Sequence, residues 1–315
     1  MVLAAIAQRT KRICLTIAVT VLSTADPVRE LESFATVDLL SGGRAEMIAG
    51  RGAFIESFPL FGYDLANYVE LFPEKIELLL KLNAAEKVTW HGSLRPPLQD
   101  AEIAPRPERK RLPIWIGVGG SPQSVAGAAK LGLPIMAGII GGATVQFAPL
   151  MEYYRREGLQ NGWTLDQLKT GVTSYLYIDG SSQKARDVFY PYHAHYFEEL
   201  SRERRQIMRL SRDDFDRGAR REGAYFVGSP QEIIDKLLYQ REIFGHQRFV
   251  AQIDLGGLPF SMVARTIELL AAEIAPVVRR ESASRIPVGG PAYGDEPAWR
   301  SALRNSSRSR LSNPR

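Results

Sequence analysis

Short runs of nearly continuous apolar residues recur along the chain, and the stretches between them carry helical spacing. The runs predict strands at 13–22 (ICLTIAVTVL), 45–49 (AEMIA), 113–118 (PIWIGV), 134–140 (PIMAGII), 171–178 (GVTSYLYI) and 249–255 (FVAQIDL). Strands apolar on both faces and separated by helices belong to a parallel sheet covered by helices.

Helix signals punctuate the same pattern. Ser229-Pro-Gln-Glu232 reads as a capping box with proline at the first helical position, followed by a buried stripe of Ile233, Ile234, Leu237 and Leu238. This helix should end near Gly245 and lead into the strand at 249. Ser121-Pro122 opens another helix in the same style, stopped at Gly132. Val263, Ile267, Leu270 and Ile274 predict one buried face on a last helix. Repeated strand–helix units fit a doubly wound sheet or a (β/α)8 barrel. About six strands are visible, where a closed barrel needs eight.

Composition changes this picture little until the charges are located. Of 40 basic and 35 acidic residues, eight arginines and three acids fall from Arg279 onward, which accounts for the whole net charge of +5. A neutral body with a basic end argues against a nucleic-acid enzyme, whose basic patch lies on the folded surface. Residues 281–315 are rich in Ser, Pro, Gly and Arg and predict a disordered tail behind a domain at 1–280. The single cysteine, Cys14, sits in an apolar run and is expected to be a small buried hydrophobe in a reducing cytoplasm. The apolar start MVLAAIA is cut by charges too early for a membrane span.

The candidate chemistry lies at two glycine-rich strand ends. SGGRAEMIAGRG at 41–52 ends near Arg51, and LPIWIGVGGSPQSV at 112–125 runs into a helix at Ser121. A phosphate needs a fixed cation and free N–H groups at a helix start, and these segments could supply one each. Ser121 caps its helix and Ser124 follows on the same face, with Gly119 and Gly120 before them. The plainer reading is a surface arginine and an ordinary capped helix. GVGGSP is not a dinucleotide fingerprint, because Pro122 stands where the third glycine belongs. His193 and His195 resemble a metal pair but lack an acidic or cysteine partner, so a solvated helix is expected there. His91 and His246 complete the set, with His91 in a turn outside the site.

Taken in order, LAAIAQRTKRI, AVTVLSTADPVR, FATVDLLSGGR and GRG resemble the third and fourth βα units of the luciferase-like flavin-dependent monooxygenases. PIWIGVGGSPQSVAGAAKLGLP is similar to that family's phosphate-side unit, and the segment from FVGSPQEII to about residue 280 to its last unit and closing helix. The resemblance implies an α/β fold of (β/α)8 barrel type that is N-terminally incomplete, since the first two units, about 60 residues, have no counterpart here. Exposed strand edges on such a flank would favour a homodimer.

The resemblance further implies bound reduced FMN, or alternatively F420, with O2 and a small organic substrate as reactants. In the absence of an NAD(P)H fingerprint a separate flavin reductase would deliver the flavin. Arg51, Ser121 and Ser124 match the family's phosphate contacts, and Gly120 a backbone contact. Ala18-Val19 aligns with a pair that forms a non-prolyl cis peptide beneath the flavin ring in some relatives; two plain core residues are the other reading. A non-catalytic fragment that binds flavin or pairs with a full-length relative is the competing functional class.

Overall fold

The computed structural model describes residues 1–204 and 210–284, which fall into two compact units. Strand β6 (Ile135–Gly138) is divided between them, its first two residues grouping with the first unit and its last two with the second.

The first unit covers Met1–Val118 with Leu133–Met136. Its order is α1 (Val2–Arg9), β1 (Ala18–Val21), α2 (Pro27–Ser41), β2 (Met47–Gly50), α3 (Ser57–Leu60), α4 (Tyr68–Ala84), β3 (Lys87–Trp90), β4 (Leu98–Glu102) and β5 (Ile114–Val118). β1 pairs in parallel with β2, and β2 with β5, while β3 and β4 form a separate antiparallel hairpin. Local chemistry explains the boundaries of α2. Asp26 accepts from the N–H groups of Val28 and Arg29, Pro27 occupies the first turn, and Gly42 closes the helix at φ +66°. The following Arg44 donates to the carbonyls of Ala7 (2.9 Å), Thr10 (2.9 Å) and Ile13 (2.8 Å). That one guanidinium fastens the end of α1 and the approach to β1.

β1 is shorter than the apolar run at 13–22. Before Ala18 only a bridge between Leu15 and Ala45 holds the run to the sheet, and β1 pairs on one side alone. Its edge leaves Ile13 and Ile17 exposed, and Cys14 with them. The expectation of a buried Cys14 is thereby corrected: hydrophobicity does not bury a residue on an edge without a neighbouring strand.

The second unit contains residues 119–132 and those from 137 on. It runs α5 (Pro122–Lys130), the end of β6, α6 (Ala148–Gln160), β7 (Thr170–Ile178), α7 (Ser182–Arg204), α8 (Arg212–Ala219), β8 (Phe226–Gly228), α9 (Pro230–Phe244), β9 (Arg248–Gln252), α10 (Phe260–Leu269) and α11 (Ala275–Ser284). β7 pairs in parallel with β8 through Leu176–Ile178 and with β9 through 171–175. β8 was not legible as a strand, because three residues are too few to show a pattern. α9 follows its signals: Ser229 accepts from the Glu232 N–H, and Gly245 ends the helix at φ +60°.

The last helix departs from its predicted stripe. Thr266 and Leu269 turn inward while Ile267 is 48% exposed. A π-helical turn over Leu270–Ile274 then shifts the phase, so that Ile274 returns to a core of Leu176, Ile178, Phe226, Ile233 and Leu237. α11 runs through Ser284, and the residues of the predicted tail beyond it lie outside the described residues. The alternation of parallel strands and helices bears out the (β/α) expectation. Among the described residues no helix is long and apolar enough to cross a membrane.

Candidate functional site

In the first unit Ala18 and Val19 open β1, and Arg51 follows the C-terminal end of the neighbouring parallel strand β2. The Ala18–Val19 peptide is cis, as the resemblance implied. The Val19 side chain lies across β2 and β5. A Cβ placed on Gly50 would stand 2.9 Å from Val19 Cγ2, and one on Gly117 would stand 2.5 Å from Val19 Cγ1. Real Cβ atoms do not approach so closely, so both glycines are needed for space. Gly50 and Gly117 are strand residues that seat a side chain from β1.

Arg51 directly follows β2. Its guanidinium carbon stands 5.7 Å from the centroid of the Tyr68 ring, at the first residue of α4, and Tyr68 in turn packs 5.4 Å from the Phe58 ring. At 5.7 Å the guanidinium is within cation–π range of the Tyr68 ring. Tyr68 was missed in the sequence, where the only available signal was an aromatic residue opening the first turn of an amphipathic helix.

The second unit brings Gly120, Ser121 and Ser124 together at the start of α5. Gly120 holds φ +100°, a region L side chains rarely enter, and turns the chain into the helix. The Ser121 hydroxyl accepts from the Ser124 N–H at 3.2 Å and lies 3.2 Å from the Ser124 hydroxyl. Two hydroxyls and the positive end of a nine-residue helix thus meet at one point, which suits a bound anion.

The histidine expectations need one correction. α7 is helical, but only one side of it is solvated. Ala185, Phe189, His193 and Leu200 share the buried side, and His193 has no exposed surface. Its ring is enclosed by Tyr175 (5.6 Å), Phe197 (4.8 Å), Phe215 (5.2 Å) and Tyr225 (4.7 Å). Neither ring nitrogen has a hydrogen-bond partner, and burial alone pushes its pKa down to about 4. His195, two residues on, is exposed near Glu199. The i, i+4 spacing of Ala185, Phe189 and His193 carried this signal. No group of three or more His, Cys, Asp or Glu residues suited to a metal ion occurs among the described residues.

Two buried lysines also escaped the sequence reading. Lys236 donates to the carbonyls of Gly218, Ala219, Arg220 and Tyr225, closing the end of α8 onto α9, and burial lowers its pKa to about 7. Lys75 on α4 donates to the carbonyls of Ser23 (2.7 Å) and Ala25 (2.9 Å).

Residues 1–247 match the family description "Luciferase-like monooxygenase". The chain belongs to this family. A curated relative, the alkanal monooxygenase alpha chain of a Kryptophanaron alfredi symbiont, is 26% identical over 190 residues, covering 60% of this chain and 52% of that one. The chain thus spans about half the length of the curated relatives it matches. The crystal structure of the monooxygenase RslO1 from Streptomyces bottropensis superposes with a TM-score of 0.74 at 25% identity, over 87% of this chain and 81% of the other. The oxygenating constituent of 3,6-diketocamphane monooxygenase from Pseudomonas putida, solved with FMN, shares the fold at a TM-score of 0.67 and 16% identity, over 87% and 82%. The parallel strands and intervening helices match the (β/α) fold of these monooxygenase structures.

Proposed function

We propose that this protein is a flavin-dependent oxidoreductase that uses reduced FMN and O2 to oxygenate a small organic substrate. The observation that carries the reading is the start of α5. There the Ser121 and Ser124 hydroxyls stand 3.2 Å apart behind Gly120, on a strand–turn–helix unit of a monooxygenase family. Bound reduced flavin supplies the reaction with O2; the protein binds, orients and excludes water.

The residues divide those tasks. In the second unit Ser121 and Ser124 offer hydroxyls to a phosphate and Gly120 lets backbone approach it; in the first unit Arg51 offers a cation whose planar fork fits a phosphate. The Ala18–Val19 backbone supports the flavin ring, held in place by the seat that Gly50 and Gly117 give Val19. A separate flavin reductase provides the reduced cofactor, and the protein works as a homodimer in the cytoplasm.

F420 is the second reading, because the same phosphate anchor serves a deazaflavin. Anaerobic titration with reduced FMN and with reduced F420 separates the two. Tight binding of FMN followed by O2 uptake supports the first, and binding of F420 alone the second. Binding of neither contradicts both and leaves a non-catalytic fragment.

A further inference from the structure

Lys75 has 1% of its surface exposed, yet it places a charge where an apolar side chain of similar length would fill the space without a desolvation cost. Its ammonium has three donors and three partners. Two are the Ser23 and Ala25 carbonyls, just beyond the end of β1, and the third is the Tyr63 ring, whose centroid lies 3.8 Å away. Tyr63 belongs to the segment joining Arg51 to α4, and its N–H donates to the Phe58 carbonyl at 2.8 Å. Seven residues before Lys75, on the same side of α4, Tyr68 packs against Arg51.

We propose that Lys75 is a positioning residue for the cofactor site: it locks the segments that follow β1 and β2 to one face of α4, and so fixes where Val19 and Arg51 are presented. This rests on the flavin reading above. The charged and titratable groups around it are Asp26 at the start of α2, Glu74 on α4, Arg95 between β3 and β4, and Tyr63 itself. Asp26 is bound to Arg95 at 2.7 Å, and Glu74 accepts from the Ser93 and Leu94 N–H groups, so both carboxylates are already engaged. Burial lowers the Lys75 pKa to about 8, opposed by Asp26 and Glu74 and assisted by Arg95. Above that pH the neutral amine keeps two donors for three partners and loses its attraction for the ring. The lock then loosens.

The test uses the full chain and oxidised FMN, with affinities measured at pH 7 and pH 9, where a phosphate monoester is already dianionic. Hydrogen exchange of residues 22–26 and 61–65 is followed in the free protein. The wild type should lose about tenfold in FMN affinity across this range as the lock weakens. Lys75→Met should bind FMN about tenfold more weakly at pH 7, show little further loss at pH 9, and exchange faster in both segments. Tyr63→Leu, which removes only the ring, should show a smaller loss in the same direction and serves if Lys75→Met does not fold. A folded Lys75→Met with wild-type affinity and an undiminished pH step overturns the inference and leaves the flavin reading standing. Failure of the wild type to bind FMN overturns the flavin reading, and this role with it.

Discussion

Val19 and Gly117 are complementary: Cγ1 of Val19 fills the space that a side chain on Gly117 would need, 2.5 Å from where its Cβ would be. The contact joins β1 to β5 across β2. A methyl group on Gly117 meets a β-branched side chain that cannot swing away. Gly117→Ala should therefore destabilise the protein by about 1–3 kcal/mol through overpacking. Val19→Ala should recover much of that loss in the double variant, as urea unfolding of the four forms will show. Additive effects would mean that the two residues do not compete for one space.

This contact also marks how far the sequence could be read. The parallel strands, the α5 and α9 caps and the glycine-rich strand ends were legible because each depends on residues close together in the chain. The seat of Val19 was not, since it joins residues 19, 50 and 117. For the same reason Lys75 gave no signal, since its partners lie 50 and 52 residues earlier. Cys14 was misplaced because an apolar run does not reveal whether both of its sides are paired. His193 was misplaced because it is the one polar member of the buried row formed with Ala185 and Phe189 on α7.

Stability should fall on mild acidification. His193 and His246 are buried neutral, with pKa values lowered from 6.5 to about 4 and about 3. Burial is the main cause for both, and for His246 the charges of Arg241 and Arg155 add to it. The unfolded chain therefore binds more protons than the folded one below pH 6.5, and stability is lost as pH falls from there toward 4. His193→Phe keeps an aromatic ring in an aromatic enclosure and removes two unpaired nitrogens. It should reduce the stability difference between pH 7 and pH 5 by about 2 kcal/mol. An unchanged difference in urea melts at the two pH values would show that His193 remains solvated.

The two serines of α5 should separate by phenotype. Ser121 caps the helix, so Ser121→Ala should cost about 1 kcal/mol of stability as well as cofactor affinity. Ser124 is not the cap, and Ser124→Ala should leave the unfolding midpoint close to wild type while weakening FMN binding about tenfold. Thermal melts and FMN titrations on both variants check this. Wild-type FMN affinity in Ser124→Ala would remove that hydroxyl from the phosphate assignment.

The central claim is that the protein holds a cofactor through its phosphate, and Arg51 tests it most directly. FMN and riboflavin differ by that phosphate alone, and a hydrogen bond to a charged group contributes about 1.5–3 kcal/mol. Affinities of both ligands should be measured for wild type and Arg51→Ala. The account predicts a loss of roughly ten- to a hundredfold for FMN and almost none for riboflavin. Equal losses for the two ligands would contradict it, assigning Arg51 to the support of its strand end instead of the phosphate.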